Sequence, residues 1–278
     1  MNTSSLSVVT SPSLAVNTSL LSQIKIRKVE TIPLRIPFAN PFTMAAPHDP
    51  KREHVDVLIV KVIADDGQYG LGETQAWRRQ GSGETLPALA RNIADEFAPR
   101  MIGRSVGELN AIMAELDAAL YGSLYPQAAV GDAMYDLMAK VLGVPLWQLF
   151  GGKCRASIPV GLPLSIASSP EVMIASVEQA YAAGYRHIRV KIGIEPRLDL
   201  KTVAALRRHF ADKIVLRADA NGGMSFTDAL WLLPRLEEFD LDLLEQPVPG
   251  WDLDGMARLS AACRIPLSAD ESLTTTHS

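Results

Sequence analysis

Four charged residues at regular intervals are the part of this sequence best suited to chemistry. They are Lys191, Asp219, Glu245 and Asp270, and successive members lie 28, 26 and 25 residues apart. Each follows a short apolar run and precedes a segment with helical character. Such spacing is typical of the βα units of a barrel, whose functional side chains gather where the strands end. The sequence therefore predicts one pocket that holds a lysine and three carboxylates.

The three acids predict a bound divalent cation. Two unit charges about 4 Å apart interact by roughly 4 kcal/mol at an effective dielectric constant of 20, so three converging carboxylates repel strongly unless a cation lies between them. An all-oxygen donor set, with no His or Cys at these strand ends, favours Mg²⁺ or Mn²⁺ over zinc. The alternative is that each acid only caps the helix after its strand. The regular spacing of all three favours the metal site.

Lys191 is the predicted base. It lies two residues after Arg189 on one strand, so both side chains point to the same face of the sheet. Arg217 and Asp219 repeat this offset, as do Ser268 and Asp270, which predicts that the shared face is the barrel interior. Burial beside a second cation favours the neutral amine, the form that accepts a proton. Arg189 stays charged and is not a candidate for that role.

The rest of the sequence indicates two kinds of fold in succession. Strand-like alternation from residue 24 to about 73, with Asp66-Gly67 as a hairpin turn, is followed by helical periodicity that ends at Gly143. This order describes an α+β domain. Five apolar runs then alternate with four helical segments, which predicts an α/β fold, an incomplete TIM-like barrel of about five parallel strands. The expected divisions are a disordered extension at 1–22, an α+β domain at 23–152 and a partial barrel at 153–278.

Composition excludes several other classes of protein. The chain has 278 residues, of which 47% are hydrophobic and 21% charged, and its formal net charge is −4 at pH 7. The charge gives no electrostatic reason to expect nucleic acid or an anionic membrane surface as a partner. No apolar run reaches the roughly 18 residues of a membrane span, and two distant cysteines indicate neither a disulfide framework nor a zinc site. We expect a cytoplasmic protein with a small-molecule substrate.

Several segments resemble the enolase superfamily, specifically its mandelate racemase and muconate lactonizing enzyme family. They are AAVGDAMYDLMAKVLGVPLWQLFGG, RVKIG, RADANGG, LLEQP and SADES. The resemblance implies an N-terminal α+β capping domain over a (β/α)₇β barrel, with Lys191 as the catalytic base. It also implies that the Mg²⁺ or Mn²⁺ ligands are Asp219, Glu245 and Asp270. The SADES form looks like the muconate lactonizing subgroup and favours Asp270 over Glu271 as the third ligand.

The resemblance further implies a reaction class. Such a protein removes the proton from the carbon next to a substrate carboxylate and forms an ene-diolate. The product then arises by epimerisation or racemisation, cycloisomerisation or dehydration. Asn221 is a candidate to orient a ligand or the substrate, although a turn role before Gly222 is equally well supported. Trp77 and Arg78 are candidate substrate contacts in a loop of the capping domain.

Two differences from the family limit these expectations. Arg189 replaces the first lysine of the family's K-x-K motif, which suggests a cationic neighbour or a contact to the substrate carboxylate rather than a second base. The sequence also ends before a sixth strand, and an open five-stranded sheet has two unpaired edges. The alternative to an active enzyme is therefore an inactive truncated fragment that retains metal binding at most. A barrel enzyme with a phosphate-bearing substrate is a more distant alternative, and a possible homo-oligomer is left open.

Overall fold

A computed structural model describes residues 18–45, 51–76 and 84–273 of the chain. These residues divide into two compact units, each with its own hydrophobic core. The first unit comprises residues 18–34, 57–76 and 84–153, and the second comprises residues 35–45, 51–56 and 154–273.

An antiparallel sheet and a group of helices form the first unit. Its strand order is β1-β2-β3, and the outer ends of the first two strands belong to the second unit. The strands are β1 (Ile26–Thr43), β2 (Lys51–Ala64) and β3 (Tyr69–Gln75). The helices are α1 (Thr18–Gln23), α2 (Leu86–Asn92), α3 (Ala98–Met101), α4 (Leu109–Ala119), α5 (Leu124–Leu142) and α6 (Leu146–Leu149). A π-helical turn (Ile93–Phe97) joins α2 to α3, and a 3-10 turn (Val106–Glu108) precedes α4.

Two glycines allow β3 to lie directly against α5. A Cβ atom at Gly70 would overlap with the backbone oxygen of Ala133, and one at Gly72 would overlap with that of Ala129. The backbone of a packed helix cannot move aside as a flexible side chain can. We therefore predict that Gly72→Ala lowers the free energy of unfolding by at least about 1–3 kcal/mol, as measured by urea denaturation.

Gly131, within α5, provides the matched control. A Cβ atom added there would lie 3.5 Å from Cε of Met113, which is an ordinary van der Waals contact. Replacing a helical glycine with alanine usually stabilises a protein by about 0.5–1 kcal/mol. Gly72→Ala and Gly131→Ala should thus change stability in opposite directions. Equal effects would contradict the close packing of β3 on α5.

A parallel sheet with alternating helices forms the second unit. Its five strands follow one another in sequence order, β4-β5-β6-β7-β8, as expected for consecutive βα units. The strands are β4 (Gly161–Leu164), β5 (His187–Lys191), β6 (Val215–Asp219), β7 (Leu243–Glu245) and β8 (Leu267–Ser268). The helices are α7 (Pro170–Ala182), α8 (Pro196–Phe210), α9 (Phe226–Leu236) and α10 (Leu253–Ala262). The predicted partial TIM-type sheet is confirmed.

Alternating burial explains how β5 and β6 are held in place. Ile188 and Val190 of β5 lie in the hydrophobic core of the second unit, together with Leu216 of β6. Because side chains alternate between the two faces of a strand, Arg189 and Lys191 project from the opposite face. The helices therefore cover the apolar face of the sheet, and the charged residues lie on the other face.

The unit boundaries differ in two places from the expected divisions. Residues 18–22, within the expected disordered extension, are part of α1, whose Leu21 is buried in the core of the first unit. Residues 1–17 lie outside the described part of the chain. The division after Lys153 lies close to the expected one, but residues 35–45 and 51–56 join the second unit. A backbone contact accounts for this, because the N–H group of Ile166 donates to the Thr43 carbonyl oxygen at 3.0 Å.

Two further features of the described residues bear on the expected class of protein. None of the helices they form is long and apolar enough to cross a membrane. Cys154 and Cys263 are both free thiols, and Cys154 is exposed.

Candidate active site

Neighbouring strand ends place three of the predicted site residues side by side. Lys191 on β5 pairs in register with Asp219 on β6, and Asp219 pairs with Glu245 on β7. The next residue in this row, on β8, is Ser268. Since β8 ends there, Asp270 lies two residues beyond its strand. The row of functional groups therefore continues into a turn instead of along the sheet.

A buried ion pair joins Lys191 to Asp219. Their side chains are only 6% and 1% exposed, and the lysine Nζ lies 2.5 Å from Oδ2 of Asp219. Lys191 also donates a hydrogen bond to Oδ1 of Asn221 at 2.8 Å. The backbone N–H of Asn221 in turn donates to Oδ1 of Asp219 at 2.9 Å. The three residues thus form a closed network, and the amine is paired with an anion.

Arg189 binds the second acid of the row. Its Nη1 atom lies 2.8 Å from Oε2 of Glu245 and 3.1 Å from Oε1, and it lies 3.6 Å from Oδ2 of Asp219. Burial and the charges of Asp219 and Asp270 raise the pKa of Glu245, while Arg189 acts in the opposite direction. Asp219 and Asp270 therefore both lie within electrostatic reach of Glu245.

The turn after β8 carries two adjacent acids with different surroundings. Asp270 is exposed, whereas Glu271 is partly buried. Oε1 of Glu271 accepts a hydrogen bond from Nδ2 of Asn221 at 3.2 Å. Oε2 is buried without a hydrogen-bond partner among the described residues. Burial, followed by the charges of Asp270 and Asp219, raises the pKa of Glu271. Glu271 thus extends the network of Lys191 and Asn221.

The three acids are chemically suited to a divalent cation, but their side chains do not come together around one point. Asp219, Glu245 and Asp270 offer only oxygen ligands, which Mg²⁺ prefers, and a dication would relieve their repulsion. Within residues 18–45, 51–76 and 84–273, no three Asp, Glu, His or Cys side chains come together closely enough to hold a metal ion. Asp219 and Glu245 are turned toward Lys191 and Arg189 instead. Metal binding therefore requires these two carboxylates to bind the ion as well as their present partners, Lys191 and Arg189.

The other predicted site residues fall into two groups. Trp77 and Arg78 lie outside the described residues. Asn221 has the turn conformation that the sequence allowed, with φ of 45°, and its side chain accepts a hydrogen bond from Lys191, while its role toward a ligand or the substrate stays a prediction. Arg217, which shares the offset of Arg189, is exposed and bound to Asp242 at 2.6 Å. Asn221 is therefore part of the candidate site, and Arg217 is engaged elsewhere.

Asp199 is a buried acid that the sequence did not predict. It lies in the first turn of α8, is 5% exposed and accepts a hydrogen bond from the N–H group of Gly193 at 2.8 Å. Gly193 follows Lys191 by two residues, so Asp199 fixes the start of the loop after β5. Burial raises the pKa of Asp199 to about 6, and the charge of Glu195 adds to this effect. An acid in a first helical turn is commonplace, so the sequence carried no signal of its burial.

The raised pKa of Asp199 predicts a pH-dependent stability. Between its ordinary pKa of 3.8 and about 6, the folded protein binds more protons than the unfolded chain, so stability falls as pH rises through this range. Relative to Asp199→Asn, which keeps an acceptor for Gly193, the wild type should lose up to about 3 kcal/mol between pH 4 and pH 7. Urea denaturation at several pH values measures this difference. Parallel curves for the two proteins would contradict the burial of a titrating Asp199.

The fold and the row of residues at its strand ends define the class of protein. An α+β unit followed by parallel βα units, with a lysine and acids at successive strand ends, is the arrangement of the enolase superfamily. Residues 26–151 match the N-terminal domain of mandelate racemase / muconate lactonizing enzyme, and residues 172–278 match the enolase C-terminal domain-like family. The chain belongs to the mandelate racemase / muconate lactonizing enzyme family, which confirms the resemblance seen in the sequence.

Three relatives illustrate the range of this family. The N-succinyl-L-Arg/Lys racemase of Bacillus cereus is 30% identical over 90% of this chain and 67% of its own length, and its solved structure superposes with a TM-score of 0.85. Muconate cycloisomerase 1 of Rhodococcus opacus is 29% identical over 92% of this chain and 69% of its own length. A dipeptide epimerase from Cytophaga hutchinsonii, solved with Mg and the dipeptide D-Ala-L-Val, is 30% identical with a TM-score of 0.82, covering 89% of this chain and 66% of that one.

These comparisons make the chain homologous to isomerases: epimerases, racemases and cycloisomerases. The chain spans about two thirds of the length of the relatives that it matches.

Proposed function

We propose that the chain is an isomerase or lyase that uses a divalent metal ion and removes the proton from the carbon next to the carboxylate of a small substrate. The observation that carries this proposal is the buried amine of Lys191 at the end of β5, in register with Asp219 and one strand away from Glu245. A buried lysine with acids at successive strand ends suits removal of a proton from carbon next to a carboxylate. The products would arise by epimerisation or racemisation, cycloisomerisation or dehydration.

Asp219, Glu245 and Asp270 are the proposed ligands of Mg²⁺, or of Mn²⁺. Support comes from their all-oxygen donor set, from the repulsion of Glu245 by Asp219 and Asp270, and from the dipeptide epimerase relative solved with Mg. When bound, such an ion supplies a Lewis acid that stabilises the negative charge developing on the substrate carboxylate.

The remaining residues have complementary proposed roles. Lys191 accepts the α-proton. Its amine becomes available for this when its ion pair with the Asp219 carboxylate weakens. Asn221 orients the amine through its Oδ1 atom. Arg189 stays protonated, holds Glu245 and offers a cationic contact for a substrate carboxylate. Trp77 and Arg78 remain predicted substrate contacts.

The second candidate is an inactive remnant that binds a metal ion at most. Two observations favour it. In the described residues the three acids do not converge, and β4 and β8 each pair with a strand on one side only. Unpaired edge strands promote association with other chains, which would compete with folding.

Metal titration and isotope exchange separate the two candidates. The 278-residue chain is titrated with MgCl₂ by calorimetry and then incubated in D₂O with D-Ala-L-Val, N-succinyl-L-arginine or muconolactone, each of which carries a proton on the carbon next to a carboxylate or carboxamide. Deuterium that enters at the α-carbon of a substrate in a Mg²⁺-dependent reaction supports the isomerase or lyase. Metal binding without exchange favours the remnant. Absence of both binding and exchange contradicts the proposed function.

A further inference from the structure

Gln246 lies at the centre of the three segments that carry the candidate site. It follows Glu245 directly and is completely buried. Its backbone N–H donates to the carbonyl oxygen of Ser268 at 2.9 Å, and its own carbonyl oxygen accepts from the N–H group of Gly222 at 2.8 Å. The backbone of this one residue therefore ties the segment after β6 and the end of β8 to the end of β7.

The side chain of Gln246 binds the turn after β8. Its Oε1 atom accepts hydrogen bonds from the N–H group of Asp270 at 2.9 Å, from the N–H group of Ser272 at 3.2 Å and from the Ser272 hydroxyl at 2.9 Å. Its Nε2 atom donates to the carbonyl oxygen of Val248 at 2.9 Å. A buried amide with both ends engaged fixes the segments that it joins, because a lost bond leaves a polar group unpaired.

The backbone of Gln246 also adopts a conformation that glutamine rarely takes. Its φ angle is 36°, in the left-handed region that glycine favours. Such a conformation costs of order 1–3 kcal/mol for a residue with a side chain, so it persists only where the surroundings compensate. Glycine would relieve this cost but would remove the amide. The bonds that the amide makes are therefore what compensates this conformation, which points to a role for the amide itself.

The amide of Gln246 binds Asp270 at a point where the sheet has already ended. β8 ends at Ser268, so no strand pairing fixes Asp270. Its backbone N–H is bound by Gln246, the residue next to Glu245. We infer that Gln246 is the positioning residue of the candidate metal site. It fixes the turn that carries Asp270 and Glu271 relative to Glu245 and Asp219. The inference rests on the proposed function in so far as these acids bind a metal ion.

Two variants of Gln246 separate the amide from the backbone. Gln246→Gly keeps the left-handed conformation without strain and deletes the side chain. Gln246→Glu keeps an acceptor oxygen for Asp270 and Ser272, and because the position is completely buried beside other acids we expect its carboxyl to be protonated, with an O–H group in place of the donor to Val248. Ser169→Ala, which removes the N-cap of α7 far along the chain, is the control for a general loss of stability.

The first measurement is Mg²⁺ affinity by calorimetry. Loss of a group that orients metal ligands typically weakens metal binding by about 10- to 100-fold, and we expect an effect of this size for Gln246→Gly. Gln246→Glu should recover most of the affinity, and Ser169→Ala should bind Mg²⁺ as the wild type does. Wild-type affinity in Gln246→Gly, or the same loss in Ser169→Ala, would overturn the inference.

The second measurement needs no metal and keeps the test independent of the proposed function. Amide hydrogen exchange in residues 267–273 should accelerate in Gln246→Gly, and Gln246→Glu should restore slow exchange. Unchanged exchange there would overturn the positioning role, whereas failure of the wild type to bind Mg²⁺ would instead contradict the proposed function. If Gln246→Gly does not fold, Ser272→Ala deletes one of the three donors to Oε1 and should show the same changes at smaller amplitude.

Discussion

Replacing Lys191 with methionine is expected to reduce Mg²⁺-dependent exchange of a substrate α-proton by about 10²- to 10⁴-fold, the usual contribution of a general base. Methionine has a similar length and fills the same buried space, but it cannot accept a proton. Because Lys191 is also the partner of Asp219, the variant leaves that carboxylate with Asn221 and Arg189. Rates of deuterium incorporation at saturating substrate measure the effect.

Lys201 supplies the control for Lys191→Met. It lies on α8 and is exposed, so Lys201→Met removes the same charge from the chain without touching the strand ends. Its exchange rate should equal that of the wild type. If Lys191→Met retained the wild-type rate, or if both variants lost it equally, the assignment of the base would be wrong.

The sequence predicted the row at the strand ends because that row follows from simple periodicity. Apolar runs spaced by one βα unit predict parallel strands, and side chains two residues apart share a face. These two rules together placed Lys191, Asp219 and Glu245 side by side, as the register of β5, β6 and β7 has them. The family resemblance rested on these strand-end segments and on AAVGDAMYDLMAKVLGVPLWQLFGG from the first part of the chain, and it is confirmed for both parts.

What the sequence could not predict depends on contacts between distant segments. The offset rule treated Ser268 and Asp270 as one strand, but β8 ends at Ser268 and the acid lies in a turn. The sequence placed Arg189 and Lys191 on one face, but it did not predict that Arg189 pairs with Glu245 and Lys191 with Asp219. The left-handed backbone of Gln246 leaves no mark in the sequence, because glutamine does not favour that conformation. Such features are set by packing and not by local propensity.

The buried pair of Lys191 and Asp219 predicts a large effect on stability. Asp219→Asn keeps an oxygen to accept from Asn221 but removes the charge opposite a lysine that is only 6% exposed. Breaking one side of a buried ion pair typically costs about 3–5 kcal/mol, because it leaves the other charge uncompensated. We expect a loss in this range in urea denaturation. The double variant with Lys191→Met should be more stable than Asp219→Asn alone.

The pair of Lys140 and Asp136 on α5 is the matched control for this cycle. Their side chains are 43% and 31% exposed, so the same double-mutant cycle there should give a coupling of only about 0.3–0.5 kcal/mol. An equally small coupling between Lys191 and Asp219 would contradict a buried ion pair.

The same cycle links stability to the proposed chemistry. If Asp219 shares its charge with a divalent ion, its attraction to Lys191 weakens, so the measured coupling should fall when the cycle is repeated in saturating Mg²⁺. The coupling of Lys140 to Asp136 should then change only by general ionic screening, for which a matched concentration of NaCl controls. A coupling at Lys191 that Mg²⁺ leaves unchanged would mean that Asp219 does not share its charge with the ion, which would contradict Asp219 as a proposed metal ligand.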